Sequence, residues 1–190
     1  MNIWIEGVDG TGKTTLARAL GEALGVEPLY HVTHEELPDR PYNVIDRHAA
    51  ITNEVYKQAL PSRFKAWPKI EASPRASSDD LYILLRPNFL RYYPSTPRKG
   101  QDYTDSELDK LDCLYAQLLP LAGYAAGKLV TIQTDYEAVV LYDYTAYPDL
   151  IRQTRISNGC ELPLQESIEV KVREILKIVR EMEWRNRVAN

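Results

Sequence analysis

Residues 7–14 read GVDGTGKT, which fits the pattern G-x-x-x-x-G-K-[ST] in full. Three glycines in eight residues let a backbone wrap tightly, so that successive amides converge on one anion. The lysine and the threonine that follow supply a cation and a hydroxyl where the loop becomes a helix. Phosphate oxygens and a divalent metal are the partners such groups suit. Gly7, Asp9, Gly10, Thr11, Gly12, Lys13, Thr14 and Thr15 are therefore expected to hold the phosphates of ATP. Lys13 would reach the β- and γ-phosphates, and Thr14 would ligate Mg²⁺.

A second constellation is YNVIDRH, residues 42–48, where an apolar run ends in Asp46 and Arg47. At the carboxyl end of a strand these side chains face the crevice in which open α/β sheets bind ligands. The aspartate there can order the shell of a metal ion or hold an acceptor hydroxyl. The arginine's planar fork can grip a phosphate. The pair also suits a solvated ion pair where a strand meets a helix. Further on, SRFKAWPK offers Phe64 and Trp67 as faces on which a base could stack, with Arg63 and Lys65 beside them.

These groups need a scaffold, and the hydrophobic periodicity supplies one. Strands are expected at residues 2–6, 29–33, 42–46, 81–86 and 129–134. Helices are expected at 14–24, 49–60, from the capping box Thr104-Asp-Ser-Glu107 onward, and at 165–188. Strands alternating with helices imply a parallel sheet covered on both faces. Residues 61–80 and 86–103 resist this scheme, and irregular stretches of that length in a small domain usually carry function.

The order of motifs resembles thymidylate kinases and related deoxynucleoside monophosphate kinases. The resemblance rests on IEGVDGTGKTT, on VIDRH, and on LYILLRPNFLRYYPSTPRKGQDYTDSELDKL, and it runs from residue 1 to about 135. It implies a three-layer P-loop kinase fold over residues 1–190 as a single domain. That fold has a central five-stranded parallel sheet, helices on both faces and an arginine-bearing lid at about 86–103. It further implies that Asp9 contacts the acceptor's 3′-hydroxyl, that Asp46 lies near the metal and the transferring phosphoryl, and that Arg47 holds the acceptor's phosphate. Some family members carry a catalytic arginine where this chain has Thr11. In its absence the resemblance points to Arg86, Arg91 and Arg98 in the lid. The family's Arg-Glu-Pro turn is missing from HVTHEELPDR, where His31 or Arg40 stands nearest.

Composition narrows the classes. The chain has 190 residues and a formal charge of −4, which argues against broad non-specific duplex binding. Its two cysteines lie far apart and read as reduced thiols, and the opening residues lack a leader's cationic and apolar pattern. A cytoplasmic protein with no membrane partner is expected. His31, His34 and His48 lack the spacing of a zinc site. Tyrosines number 13, and the tract DYEAVVLYDYTAYPDL borders the adenine of ATP by its position after the fifth strand.

The expected activity is transfer of the γ-phosphoryl of ATP, with Mg²⁺, to a small deoxynucleoside monophosphate. The acceptor would be a pyrimidine such as dTMP or a modified dUMP. Two alternatives stand beside it: phosphorylation of a hydroxyl on a deoxynucleoside or on a modified base in DNA, and a nucleotide-dependent regulatory ATPase. A homodimer, common in the family, stays open.

Overall fold

The structure is a computed structural model and describes residues 1–64, 80–86, 103–126, 128–133, 138–143, 151–155 and 164–189. Strand β1 (Asn2–Gly7) runs into the glycine loop and helix α1 (Lys13–Leu24), followed by β2 (Leu29–Val32), β3 (Asn43–His48) and α2 (Ala49–Ala59). Then come β4 (Asp80–Arg86), α3 (Asp105–Ala126), β5 (Lys128–Gln133), β6 (Ala138–Asp143), β7 (Ile151–Arg155) and α4 (Leu164–Ala189).

The strands form one sheet in the order β2-β3-β1-β4-β5-β6-β7. Pairings from β2 through β5 are parallel, whereas β5–β6 and β6–β7 are antiparallel. The expected five-stranded parallel sheet is thus corrected to a mixed sheet of seven. Two strands that pair as a simple antiparallel extension need no crossover helix between them, so the helix-strand rhythm of the sequence did not announce them. Six of the 16 residues of the tyrosine-rich tract expected beside adenine form strand β6.

Alternation along the strands divides the core in two. Ile3, Ile5, Val44, Leu81, Ile83 and Leu85 pack with Leu16, Ala17 and Leu20 of α1 and with Ile175, Val179 and Met182 of α4. On the other face Trp4, Ile45, Tyr82 and Leu84 pack with Ile51 and Val55 of α2 and with Leu108, Leu111, Tyr115 and Leu119 of α3. The result is an α/β sheet carrying helices on both faces. The capping box at the start of α3 is formed as the sequence requires: Glu107 N donates to Thr104 Oγ1 at 3.3 Å, and Thr104 N donates to Glu107 Oε2 at 2.8 Å. The expected lid at 86–103 lies, apart from its two end residues, outside the described residues. Among the described residues no helix is long and apolar enough to cross a membrane.

Candidate functional site

The loop between β1 and α1 is shaped by two glycines. Gly7 pairs with Leu85 of β4 and has φ 136°; a Cβ there would lie 2.2 Å from the Leu85 carbonyl oxygen. Gly12 is the N-cap residue of α1, with φ 87° and no side-chain cap hydrogen bond. Within the loop Thr11 Oγ1 donates to the Val8 carbonyl at 2.9 Å, and the Lys13 ammonium donates to the same oxygen at 2.6 Å. Both side chains are buried.

Strand β3 delivers Asp46 and Arg47 to this loop. Thr14 Oγ1 donates to Asp46 Oδ2 at 2.5 Å. The other carboxylate oxygen, Asp46 Oδ1, is buried with no hydrogen-bond partner among the described residues. A hydroxyl beside a half-unsatisfied carboxylate suits a hard cation that draws its remaining ligands from water and phosphate. Arg47 has the left-handed φ of 77° and turns its guanidinium onto the loop, pairing with Asp9 through Nη2. Its Nη1 donates to the Tyr56 hydroxyl at 3.4 Å, and Tyr56 in turn donates to Asp9 Oδ2 at 2.9 Å. Burial raises the Tyr56 phenol above its ordinary pKa, which keeps it a donor in this triangle.

Beneath the triangle lies Glu6, wholly buried on β1. Its Oε1 accepts from His48 N at 2.5 Å and its Oε2 accepts from Thr52 Oγ1 at 3.2 Å. The carboxylate thereby ties β1 to the chain just after Arg47 and to the first turn of α2. Desolvation pushes its pKa up to about 7, against the lowering effects of the His48 amide, Arg47, Lys13 and Thr52.

Around these groups opens a cleft of about 640 Å³. The glycine loop forms one wall through Asp9, Gly10, Gly12, Lys13, Thr14 and Thr15. Asp46 and Arg47, with Tyr30 and His31 of β2, form another. Helix α2 and the turn after it contribute Thr52, Asn53, Tyr56, Leu60, Arg63 and Phe64, and Tyr103 closes that end. Arg63 lies 4.9 Å over the Tyr103 ring and donates to both oxygens of Glu107 at 2.9 Å.

The structure thus brings together the loop residues, Asp46, Arg47 and Phe64. Gly7 and Thr11 shape the loop without lining the cleft. Arg86 also stands outside the lining: its Nε and Nη2 form a forked pair with Asp112, which is 1% exposed. Trp67, Arg91 and Arg98 lie outside the described residues. The sequence alone did not single out Tyr30, Thr52, Asn53, Tyr56 and Leu60; Tyr103, beside the expected lid, reads there as packing and instead lines the cleft. For α2 a signal existed, because positions 52, 53, 56 and 60 share one stripe of a helix that starts directly after the Asp-Arg pair.

The chain's fold is similar to that of a solved structure described as the YorR protein of Bacillus subtilis in complex with phosphorylated GDP. The TM-score is 0.54 at 16% identity, covering 95% of this chain and 96% of that one. At that identity the likeness speaks for the architecture alone: a largely parallel α/β sheet with helices on both faces. No protein-family model matches the chain, and no curated protein matches it by sequence.

Proposed function

We propose that this protein is an ATP-dependent kinase that passes the γ-phosphoryl group to the phosphate of a deoxynucleoside monophosphate, with a pyrimidine such as dTMP or a modified dUMP as acceptor. The observation that carries this reading is the contact of the glycine loop with the Asp46–Arg47 pair. A triphosphate-binding loop and an anion-gripping arginine share one cleft, 34 residues apart in sequence (Lys13 to Arg47) yet joined through Thr14–Asp46 and Asp9–Arg47.

In this reading the loop amides and Lys13 hold the donor's phosphates. Lys13 gives up the Val8 carbonyl to do so, which exchanges a neutral acceptor for a charged one. Arg47 likewise leaves Asp9 for the acceptor's phosphate, and Asp9, still accepting from Tyr56, turns its Oδ1 to the sugar hydroxyl. Thr14 and Asp46 are the residues that would hold Mg²⁺, which when bound offsets charge on the transferring group. An oxygen of the acceptor's phosphate forms a bond to the γ-phosphorus as the bond to the β–γ bridging oxygen breaks, leaving ADP. Alignment and charge neutralisation supply the catalysis, and no strong general base is required. Among the described residues, the aromatic and apolar side chains Tyr56, Leu60, Phe64 and Tyr103 form the part of the cleft suited to a base. Arg91 and Arg98 remain candidates for closing the site, and Trp67 for stacking on the base.

The test is a panel of deoxynucleoside monophosphates, deoxynucleosides and oligonucleotides, each offered with ATP and Mg²⁺ and scored for ADP and phosphorylated product. One or a few monophosphates are expected to be turned over, and Lys13→Ala to abolish that turnover. Preference for a nucleoside or an oligonucleotide would overturn the choice of acceptor. ATP hydrolysis indifferent to every acceptor would overturn the kinase reading.

A further inference from the structure

Among the described residues, two that are not glycine have left-handed backbone: His31, φ 52°, and Arg47, φ 77°. They are neighbours in space by register. Strands β2 and β3 pair in parallel as Leu29 with Ile45, Tyr30 with Asp46 and Val32 with His48, which places His31 level with Arg47. Both side chains line the same cleft. Left-handed backbone at a residue with a Cβ is unfavourable, and it persists where the surroundings impose it, often beside a ligand. For Arg47 the turn delivers a buried guanidinium to Asp9 and Tyr56. His31 is exposed, so burying its ring is not what the kink achieves. What the paired kinks share is direction, since each brings a nitrogen-bearing side chain to the cleft at the same level.

The position along the cleft says what those nitrogens would meet. His31 stands one residue beyond Tyr30, the partner of Asp46, and it feels the charges of Asp46 and Lys13. That is the phosphate end. The apolar end, at Leu60, lies about 16 Å further along α2 from the helix start, at about 1.5 Å per residue. A group held between Arg47 and His31 is therefore an anion and not a base.

We propose that His31 is a specificity-determining residue: its ring N–H donates to the acceptor's phosphate on the side opposite Arg47, so the cleft takes a phosphorylated nucleoside in preference to the free nucleoside. This rests on the kinase reading above and adds to it the group that reads the acceptor's phosphate from β2. Two donors on separate strands enclose the phosphate more selectively than one arginine, and the second gives nothing to a ligand that lacks the anion.

The experiment compares wild type, His31→Gly and His31→Asn by calorimetric titration with dAMP, dGMP, dCMP and dTMP, with the four matching deoxynucleosides, and with ATP. Glycine accepts the left-handed backbone and offers no side-chain donor, so that variant is expected to melt no lower than wild type. For the monophosphate that wild type binds best, His31→Gly is expected to bind about 10-fold or more weakly, the range of a hydrogen bond to a charged group. Its affinities for the nucleoside and for ATP are expected to stay within about twofold. Asparagine tolerates the same backbone and keeps an N–H, so His31→Asn should fall between the two. An unchanged ratio of monophosphate to nucleoside affinity in the glycine variant overturns the proposal, as does an equal loss for both ligands, which would mark a structural role. If wild type binds ATP but neither these four monophosphates nor dUMP and its 5-substituted forms, the kinase reading falls and takes this assignment with it. If wild type discriminates and the glycine variant does so equally well, only the assignment falls.

Discussion

The carboxylate of Glu6, 0% exposed, accepts from the amide that follows Arg47 and from Thr52. Burial is the largest cause of its raised pKa, about 7 in the fold against 4.5 for the free group. The folded protein therefore binds this proton more tightly than the unfolded chain. Stability from the group is complete below pH 4.5 and is lost as pH rises through about 7, on the order of 3 kcal/mol in all. His48 works the opposite way. Burial, with His34 beside it, lowers its pKa to about 3. The unfolded chain then binds more protons between pH 3 and 6.5, and stability falls as pH drops through that window. The two slopes oppose each other between pH 4.5 and 6.5. Glu6→Gln removes one of them, so the stability of wild type minus that of the variant should decline by roughly 3 kcal/mol between pH 4 and 8. Urea unfolding of both proteins across that range checks it, and a flat difference would mean that Glu6 titrates no differently in the fold than in the unfolded chain. At the neighbouring position, Arg47→Gly keeps the left-handed turn and removes the guanidinium. It is expected to raise KM for the acceptor about 100-fold, as befits a lost charge-assisted pair, while KM for ATP changes little.

Gly7 and Arg86 show what a sequence displays of its elements and what it hides. The spacing of glycines around Lys13 is visible in the chain, and so is the capping box that opens α3. Why residue 7 must be glycine is not visible, because the reason is the carbonyl of Leu85, 78 residues away on β4. Gly7→Ala would force β1 and β4 apart at the point where they pair and would add strain at φ 136°. A loss of at least about 3 kcal/mol is expected, or roughly 6–12 °C in Tm for a chain of this size. Arg86 was legible as a cation at a strand end facing the expected lid. Its partner Asp112, on the far side of an irregular stretch, was not. Arg86→Ala leaves a buried carboxylate without its fork and should cost about 3 kcal/mol, while replacing both residues by Met and Leu should recover most of it. Denaturation of the single and double variants measures the difference. Strands β6 and β7 were missed for another reason: IRQTR shows no apolar alternation, and AVVLYD is an apolar run too short to mark its own pairing. Asp46 and Arg47 were legible because motif and strand end coincided. The α2 stripe was passed over because its side chains are ordinary on any helix.

At the scale of the molecule, the sheet separates ligand chemistry from anchoring. The glycine loop, Asp46 and Arg47 lie at carboxyl ends of β1 and β3, whereas the amino ends of β1, β3 and β4 are stitched by polar side chains. Arg40 Nε donates to Asn43 Oδ1 at 2.6 Å, Asn43 Nδ2 to Asn2 Oδ1 at 3.0 Å, and Asn2 Nδ2 to Asp80 Oδ1 at 2.8 Å. The other oxygen of Asp80 meets His34 Nε2 at 2.7 Å, and His34 Nδ1 meets His48 Nε2 at 3.0 Å. His48 Nδ1 accepts from Ala50 N, so its proton must be on Nε2. That proton points at His34 Nδ1, whose own proton is then on Nε2 and points at Asp80. One set of proton positions satisfies the whole chain with both imidazoles neutral, in keeping with the low pKa of His48. The Trp4 ring packs over both, with centroids 4.6 and 4.4 Å away. Asp80→Ala breaks this chain at a fully buried acceptor and orphans two donors, a loss of about 3 kcal/mol or roughly 6–12 °C in Tm. The glycine loop, proposed to hold ATP, is built from β1 and α1 at the other edge, so the ATP dissociation constant should stay within about twofold. Arg47→Gly should weaken the acceptor far more than ATP, and because it leaves Asp9 without its partner its Tm is expected to fall as well. Melting curves and ATP titrations of the two variants test the division together. If Asp80→Ala weakened ATP as much as it lowered Tm, the His34–His48 chain would be transmitting strain from one edge of the sheet to the other, and the two edges would have to be treated as one site.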